Sequence, residues 1–339
     1  MRNFRGVIGK IAAAAALGFA AFSAQAPANA QGYNFESAFD NALGTETRSP
    51  RDYSARYDTP LEKQIAMLAN GDNGRIGVAA VDLATGREIA ILGDQRFPMA
   101  STSKIAIAAT FLEGVDKGRW SLDDRYPLLH PIRSAKYSSR AAPVKRGQYY
   151  TARELIESMI TRSSNSATDA MLAAVGGTGK VNAWLRRSGI KEVRIDRDIA
   201  TLVRDDGEFD PATFIDERDS ATPRAMVELL SGLYQGKWLS ASSRRVVIGA
   251  MERCRTGKRR IPKLLPANAL VAHKTGSLNN TSSDIGVITA PDGRSIAVAI
   301  YVTGQGTRSR REAKIASIAS AIYEGYTNPQ QRGWTRSAN

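Results

Sequence analysis

Phe97-Pro98-Met99-Ala100-Ser101-Thr102-Ser103-Lys104, running on into Ile105-Ala106-Ile107-Ala108-Ala109, is the stretch on which the reading of this chain turns. Pro98 and the Ser/Thr cluster predict the start of a helix, and the apolar run predicts its body. At 3.6 residues per turn, Ser101 and Lys104 fall on one face within a single turn. A serine there lies where unpaired backbone N–H groups and the helix dipole favour a developing negative charge. An apolar surrounding solvates an ammonium poorly and lowers a lysine pKa toward the range of a useful base. Ser101 and Lys104 are thus a candidate activated nucleophile and its base, with no histidine needed. The spacing alone is common: Ser188-Gly189-Ile190-Lys191 shares it, in a context that reads as a turn.

Outward from this stretch, Leu61, Ile65, Met67 and Leu68 are spaced as a first helix. Arg75–Leu83 and Glu88–Leu92, joined by Ala84-Thr85-Gly86, predict a strand hairpin. Downstream, Ser121–Tyr150 is a long polar segment. Thr151 and Glu154 are spaced as a capping box that opens a helix to about Ile160. Helices are expected over 167–175, 180–187, 223–233 and 241–253, the one at 223 opened by Thr222-Pro223. Strands are then expected at 269–274, 284–289 and 295–302, with Pro291-Asp292-Gly293 as a turn. A last helix is expected at 309–326, with Ser309 and Glu312 as its capping box. The fold class is α/β: an antiparallel sheet built from both ends of the chain, flanked by helices, with an inserted all-helical lobe. The boundaries are 59–98 and 254–326 for the α/β lobe and 99–253 for the helical lobe, with the site in the crevice between them.

The N-terminus reads as a secretion leader over 1–30. Arg2, Arg5 and Lys10 are followed by an apolar run from Ile11 to Phe22, and cleavage sites stand at Ala24-Gln25-Ala26 and Ala28-Asn29-Ala30. The run is too short for a permanent span, and no later run of about twenty apolar residues appears. The expectation is an exported, periplasmic or secreted protein without a membrane span, with a loose arm at 31–58 and a loose tail at 327–339. The whole chain carries a net charge of +14, of which three charges lie in the leader. Such a basic exported chain suits anionic envelope polymers, whereas nucleic acid is excluded by the export signal and by the lack of a recognition motif. The single cysteine, Cys254, excludes an intramolecular disulfide and is expected to be a small buried hydrophobe on a helix. Two histidines and one cysteine, far apart in sequence, make no zinc set. No metal or cofactor is expected. Gly176-Gly177-Thr178-Gly179-Lys180 lacks the first glycine of a phosphate loop, since Ala174 stands there.

Two further motifs bear on Ser101. Ser163-Ser164-Asn165, on a turn between helices, offers a proton-relaying hydroxyl and an amide that can hold a substrate amide. Lys274-Thr275-Gly276-Ser277 ends a strand, where glycine permits close backbone approach and Lys274, Thr275 and Ser277 can bind a carboxylate. His273, one residue from Lys274, points to the other face of that strand, and His130 falls in the polar segment. In series, Ser-x-x-Lys, Ser-x-Asn and Lys-Thr-Gly resemble the penicillin-recognising serine enzymes, specifically the class A β-lactamases, over residues 60–325. The resemblance implies Ser101 as acylated nucleophile, Lys104 as its proton acceptor and Ser163 as proton shuttle to the β-lactam nitrogen. It implies Asn165 as ligand of the substrate amide, and Lys274, Thr275, Gly276 and Ser277 as the carboxylate strand. Arg260 matches the arginine that some members place behind that carboxylate. The backbone N–H groups of Ser101 and Ser277 are the implied oxyanion hole.

One position breaks the pattern. Ile199 stands where the family carries the glutamate that activates the deacylating water. Asp198 and Glu208 are the candidate substitutes, unless both are solvated loop acids. Ser164 for the usual aspartate and Asp169 for the usual asparagine read as buttressing changes. The resemblance implies a monomeric serine hydrolase that opens β-lactam rings. The alternatives are a DD-peptidase acting on D-Ala-D-Ala peptides and a slowly deacylating penicillin-binding sensor.

Overall fold

Residues 59–328 are described by the computed structural model. The leader, the arm at 31–58 and the tail beyond Asn328 lie outside them. Helix α1 (Pro60–Leu68) starts at Thr59, whose hydroxyl and Glu62 close a capping box. It leads to the hairpin β1 (Ile76–Asp82) and β2 (Glu88–Ile91), then the two-residue strand β3 (Phe97–Pro98). A 3₁₀ turn at Ala100–Ser103 opens α2 (Lys104–Asp116). The strands β4 (Arg125–Pro131) and β5 (Val144–Thr151) follow, then α3 (Ala152–Thr161), α4 (Asn165–Ala174), α5 (Thr178–Arg187) and the short α6 (Ile199–Arg204). The two-residue β6 (Ser220–Ala221) precedes α7 (Pro223–Gln235) and α8 (Ala241–Glu252). The chain closes with β7 (Leu270–Leu278), β8 (Thr281–Thr289), β9 (Ser295–Thr303) and α9 (Arg308–Thr327).

The main sheet has the order β2-β1-β9-β8-β7, every pair antiparallel. Its central strand β9 is buried along its whole length because helices cover both faces. Alternation sorts the side chains. Val78, Ala80, Ile296, Val298, Ile300 and Val302 pack with α1 and α9, whereas Ala79, Ala297, Ala299 and Tyr301 join the larger core that includes α2 to α5 and α7. The architecture is the expected α/β one, and it leaves β7 at the sheet edge facing the inserted lobe.

Four local expectations change. The polar segment 121–150 contains the ribbon β4–β5, so the helical lobe also carries strands and His130 lies on β4. Its side chains are at best half-buried, which removes the apolar alternation a sequence reader needs. Cys254 lies two residues past the end of α8 and is half-buried, not interior to a helix. The cap of α9 is Thr307, which accepts from the Arg310 N–H at 3.3 Å, so Ser309 is inside the helix and Glu312 is free for another task. Thr327, placed in the tail by the sequence pattern, closes α9.

Candidate active site

Ser101 sits on the 3₁₀ turn and Lys104 begins α2, so one segment presents both. The turn is held from below: Met99 N–H donates to the Asp219 carbonyl at 3.0 Å, and Thr102 and Ser103 hydroxyls donate to the carbonyls of Met99 and Ala100. Ala100 has φ +49° and Ser163 has φ +58°. Left-handed conformations of non-glycine residues cost about 1–2 kcal/mol each and persist only where the surroundings hold them. Here they stand immediately before Ser101 and at the facing hydroxyl. Ser188, by contrast, ends α5 at a left-handed Gly189, the turn its context predicts.

The Lys104 ammonium donates to the Ser163 carbonyl at 2.8 Å, the Ser163 hydroxyl at 3.1 Å and Asn165 Oδ1 at 2.9 Å. From the other side Lys274 Nζ donates to the same Ser163 hydroxyl at 3.0 Å and to the Thr275 carbonyl at 2.8 Å. Ser163 Oγ thus bridges the two lysines, within hydrogen-bond distance of both. Both lysines are buried. Burial pulls Lys104 well below the ordinary lysine range, the neighbouring Lys274 charge adds to this, and Asp169 opposes it. Burial likewise lowers Lys274 to about 8, against the charges of Cys254 and Asp284 and with that of Arg260.

Strand β7 reaches the nucleophile turn at Gly276, where an added Cβ would run into Ser283 Oγ and the Met99 carbonyl. Glycine is therefore required for this approach. Ser277, the next residue, is exposed and its hydroxyl accepts from Arg260 Nη2 at 2.7 Å. Thr275 lies on the opposite face of the strand from Lys274, its hydroxyl 2.6 Å from that of Thr256. Arg260 is only 1% exposed and is no surface base. Its Nη1 donates to the carbonyls of Gly276 and Ser283 at 2.8 and 2.7 Å, and Nε and Nη2 reach Glu312 Oε1 at 3.3 and 3.2 Å. Glu312, 4% exposed, is the residue sequence reasoning missed. It shares a helix face with buried Ile315, Ala316 and Ala319, so an acid at an apolar position of α9 was its signal.

Ile199 is buried as the first residue of α6. Asp198 caps that helix, accepting from Thr201 N–H at 2.7 Å, and Glu208 accepts from Arg218 Nη2 at 2.8 Å. Both candidate bases are thus committed to loop structure. The carboxylate near Lys104 is Asp169, which accepts from the N–H groups of Ile199 and Ala200 at 2.7 and 2.9 Å. Burial pushes it up to about 6; these two hydrogen bonds and Lys104 act against the rise, and Asp198 adds to it. Ser164 caps α4 through Ala167 N–H. His273 is buried with Nδ1 2.9 Å from Asp284 Oδ1, and His130 Nδ1 lies 3.2 Å from Ser166 Oγ.

Residues 60–326 match the family described as the beta-lactamase enzyme family. The chain is similar to the β-lactamase VEB-1 of Pseudomonas aeruginosa, at 29% identity over 81% of this chain and 93% of that protein. It is similar to the β-lactamase Toho-1 of Escherichia coli, at 30% identity over 77% of this chain and 87% of that protein. Among solved structures, a β-lactamase from Chitinophaga pinensis superposes with a TM-score of 0.70 at 27% identity, covering 79% of this chain and 100% of that one.

Proposed function

The chain belongs to the β-lactamase enzyme family, and from that premise we propose that it opens β-lactam rings through an acyl-enzyme on Ser101. The observation that carries this is the Ser163 hydroxyl between Lys104 and Lys274, beside the turn that bears Ser101. The lowered pKa makes the neutral amine of Lys104 accessible, and in that form it takes the Ser101 proton as the oxygen attacks the lactam carbonyl carbon. The N–H groups of Ser101 and Ser277 receive the oxyanion. Ser163 then gives its hydroxyl proton to the lactam nitrogen and receives the proton that Lys104 took from Ser101, the C–N bond breaks and the ring opens with no fragment lost. At the free edge of β7, Lys274 from one face and the exposed Ser277 from the other hold the substrate carboxylate, with Arg260 behind Ser277 and Thr275 supporting the strand through Thr256, and Asn165 holds the side-chain amide. No metal or cofactor has a part in these steps.

Release of the acyl group is the slow half. Isoleucine accepts no proton, and losing a general base costs about 10²–10⁴-fold in the step it serves. That substitution favours a second reading, a DD-peptidase on D-Ala-D-Ala ends or a sensor that stays acylated. The leader-like residues 1–30 support export, and the remaining basic charge supports adhesion to anionic envelope polymers. Among the described residues no helix is long and apolar enough to cross a membrane. The test is to mix the purified protein with a penicillin and follow ring opening. Many turnovers per chain, lost in Ser101→Ala, support the β-lactamase. A stoichiometric burst without turnover moves the assignment to the second reading, and unchanged behaviour in Ser101→Ala overturns both.

A further inference from the structure

Strand β7 ends the main sheet, and among the described residues no strand lies beyond it. Such an edge offers a row of unpaired backbone groups to which an extended peptide can add as a further strand. Along a strand the backbone hydrogen-bonding groups of successive residues turn to alternate sides. The Gly276 carbonyl lies on the β8 side, where it and the carbonyl of its pairing partner Ser283 both accept from Arg260 Nη1. Ser277 therefore turns its N–H to the open side, and so does Asn279, two residues on at the start of the turn to β8. The first of these N–H groups is the oxyanion donor of the proposed reaction. The second is already taken: it donates to both carboxylate oxygens of Asp206, at 2.8 and 3.0 Å.

Asp206 lies just past α6, on a segment fastened at both sides. Arg204 donates to the carbonyls of Ser138 and Arg140 in the β4–β5 connection, and the Ala142 N–H donates to the Thr201 hydroxyl at 2.8 Å. Towards the sheet, Asn280 Nδ2 donates to Asp210 Oδ1 at 2.8 Å, and Asn280 Oδ1 accepts from Arg311 Nη1 at 3.2 Å. Gly207 has φ +90°, and a Cβ added there would stand 3.7 Å from the Asn279 amide nitrogen and 3.9 Å from Lys136 Nζ. Residues 204–210 thus run from the β4–β5 connection to the β7–β8 turn. They cross the line of β7 immediately after its last residue, Leu278.

We propose that Asp206 is a specificity-determining residue: by capping the Asn279 N–H it bars peptides from adding to β7 as a strand, and it restricts the site to β-lactams with compact acyl side chains. The inference rests on the proposed acylation of Ser101 at the β7 edge. A substrate with its carboxylate by Lys274 and its lactam carbonyl at the Ser277 N–H continues along β7 toward Asn279. Two residues of strand span about 6–7 Å, room for the side-chain amide and a small group beyond it. A longer extended chain reaches the Asn279 N–H only by displacing a charge-assisted hydrogen bond. That displacement should slow its acylation about 10- to 100-fold. Stem peptides ending in D-Ala-D-Ala are chains of this kind, so the same contact weighs against the DD-peptidase reading. Compact substrates stop short of Asp206 and are indifferent to it.

The experiment uses the full chain and two penicillins that share one ring: the N-acetyl amide of 6-aminopenicillanic acid and its N-acetyl-alanyl-alanyl amide. Second-order acylation rate constants are read from the mass of the protein. The unmodified protein should prefer the acetyl compound by about tenfold or more. Asp206→Ala should speed acylation by the peptidyl compound about tenfold and leave the acetyl compound within about twofold. Asp206→Asn keeps an acceptor oxygen and should retain most of the preference. Amide exchange, followed by NMR with no β-lactam present, should be about tenfold slower at Asn279 in the unmodified protein than in Asp206→Ala. Where the alanine variant fails to fold, the preference of the unmodified protein and slow exchange at its Asn279 decide. Equal acylation by the two penicillins, an equal change in both on Asp206→Ala, or unprotected exchange at Asn279 overturns the inference while the acylation reading stands. Absence of acylation by either penicillin, with Asn279 protected, overturns the acylation reading and the inference with it.

Discussion

Replacing Ile199 by glutamate should speed the release of the acyl-enzyme and so raise turnover. The position is fixed by its backbone, since the Ile199 N–H is held by Asp169 Oδ1 at 2.7 Å, so the substitution need not move the loop. A restored general base is worth about 10²–10⁴-fold in deacylation. The structure tempers that gain, because Asp169 titrates near 6 and is ionised at pH 7.5. Two carboxylates about 5–6 Å apart at an effective dielectric of about 20 repel by about 3 kcal/mol. That repulsion raises the introduced carboxyl by about two pH units, to roughly 6.5. The single variant Ile199→Glu should deacylate quickly at pH 7.5 with an acid limb near 6.5. The double variant with Asp169→Asn should move that limb down to about 4.5. Asparagine offers one acceptor oxygen to two N–H groups, so the double variant should lose about 1–3 kcal/mol of stability. The assay is penicillin turnover together with acyl-enzyme lifetime by mass, from pH 5 to 8, on variants shown to be folded. A gain below tenfold in both variants would refute the placement of position 199 beside the deacylating water.

Three further outcomes follow from the same geometry. Glu312→Ala leaves the buried Arg260 guanidinium without its carboxylate partner and should cost about 3–5 kcal/mol in urea unfolding, with a loss under 1 kcal/mol counting against the pairing. Asp169 has a folded pKa near 6, above its ordinary value of 3.8. The folded state therefore holds that proton more tightly, and the contribution is complete below the unfolded pKa and lost as pH rises through 6. Stability should fall across that window by roughly 2–3 kcal/mol from this group, and Asp169→Asn should flatten the slope. Lys274 titrates near 8, so acylation by carboxylate-bearing penicillins should decline above pH 8, by about tenfold per unit; a flat profile to pH 9.5 would remove Lys274 from carboxylate binding.

The juxtaposition of the proposed acylating residues was legible because it is carried by local spacing. Ser101 and Lys104 share a turn, and Gly276 marks its close approach by lacking a side chain. The strained backbone at Ala100 was not legible, since alanine gives no signal for a left-handed conformation and the surroundings impose it. The ribbon β4–β5 escaped because its half-exposed side chains follow no apolar period. Glu312 and Arg260, 52 residues apart, meet only through the packing of α9 on the sheet. Glu312 was misassigned because a Ser-x-x-Glu spacing at 309–312 mimics a cap that Thr307 makes two residues earlier. The Asp198 and Glu208 carboxylates looked free in the sequence, and their partners, the Thr201 N–H and the Arg218 guanidinium, appear only when the loop folds.

The central claim is that Ser101 takes the acyl group and releases it slowly. The direct measurement is the intact mass of the protein, quenched at intervals after mixing with a penicillin, followed by peptide mapping of the adduct. The account predicts one penicillin added per chain, on the peptide bearing Ser101, decaying far more slowly than it forms and absent in Ser101→Ala. An adduct that persists in Ser101→Ala, or the absence of both adduct and ring opening in the unmodified protein, would contradict it.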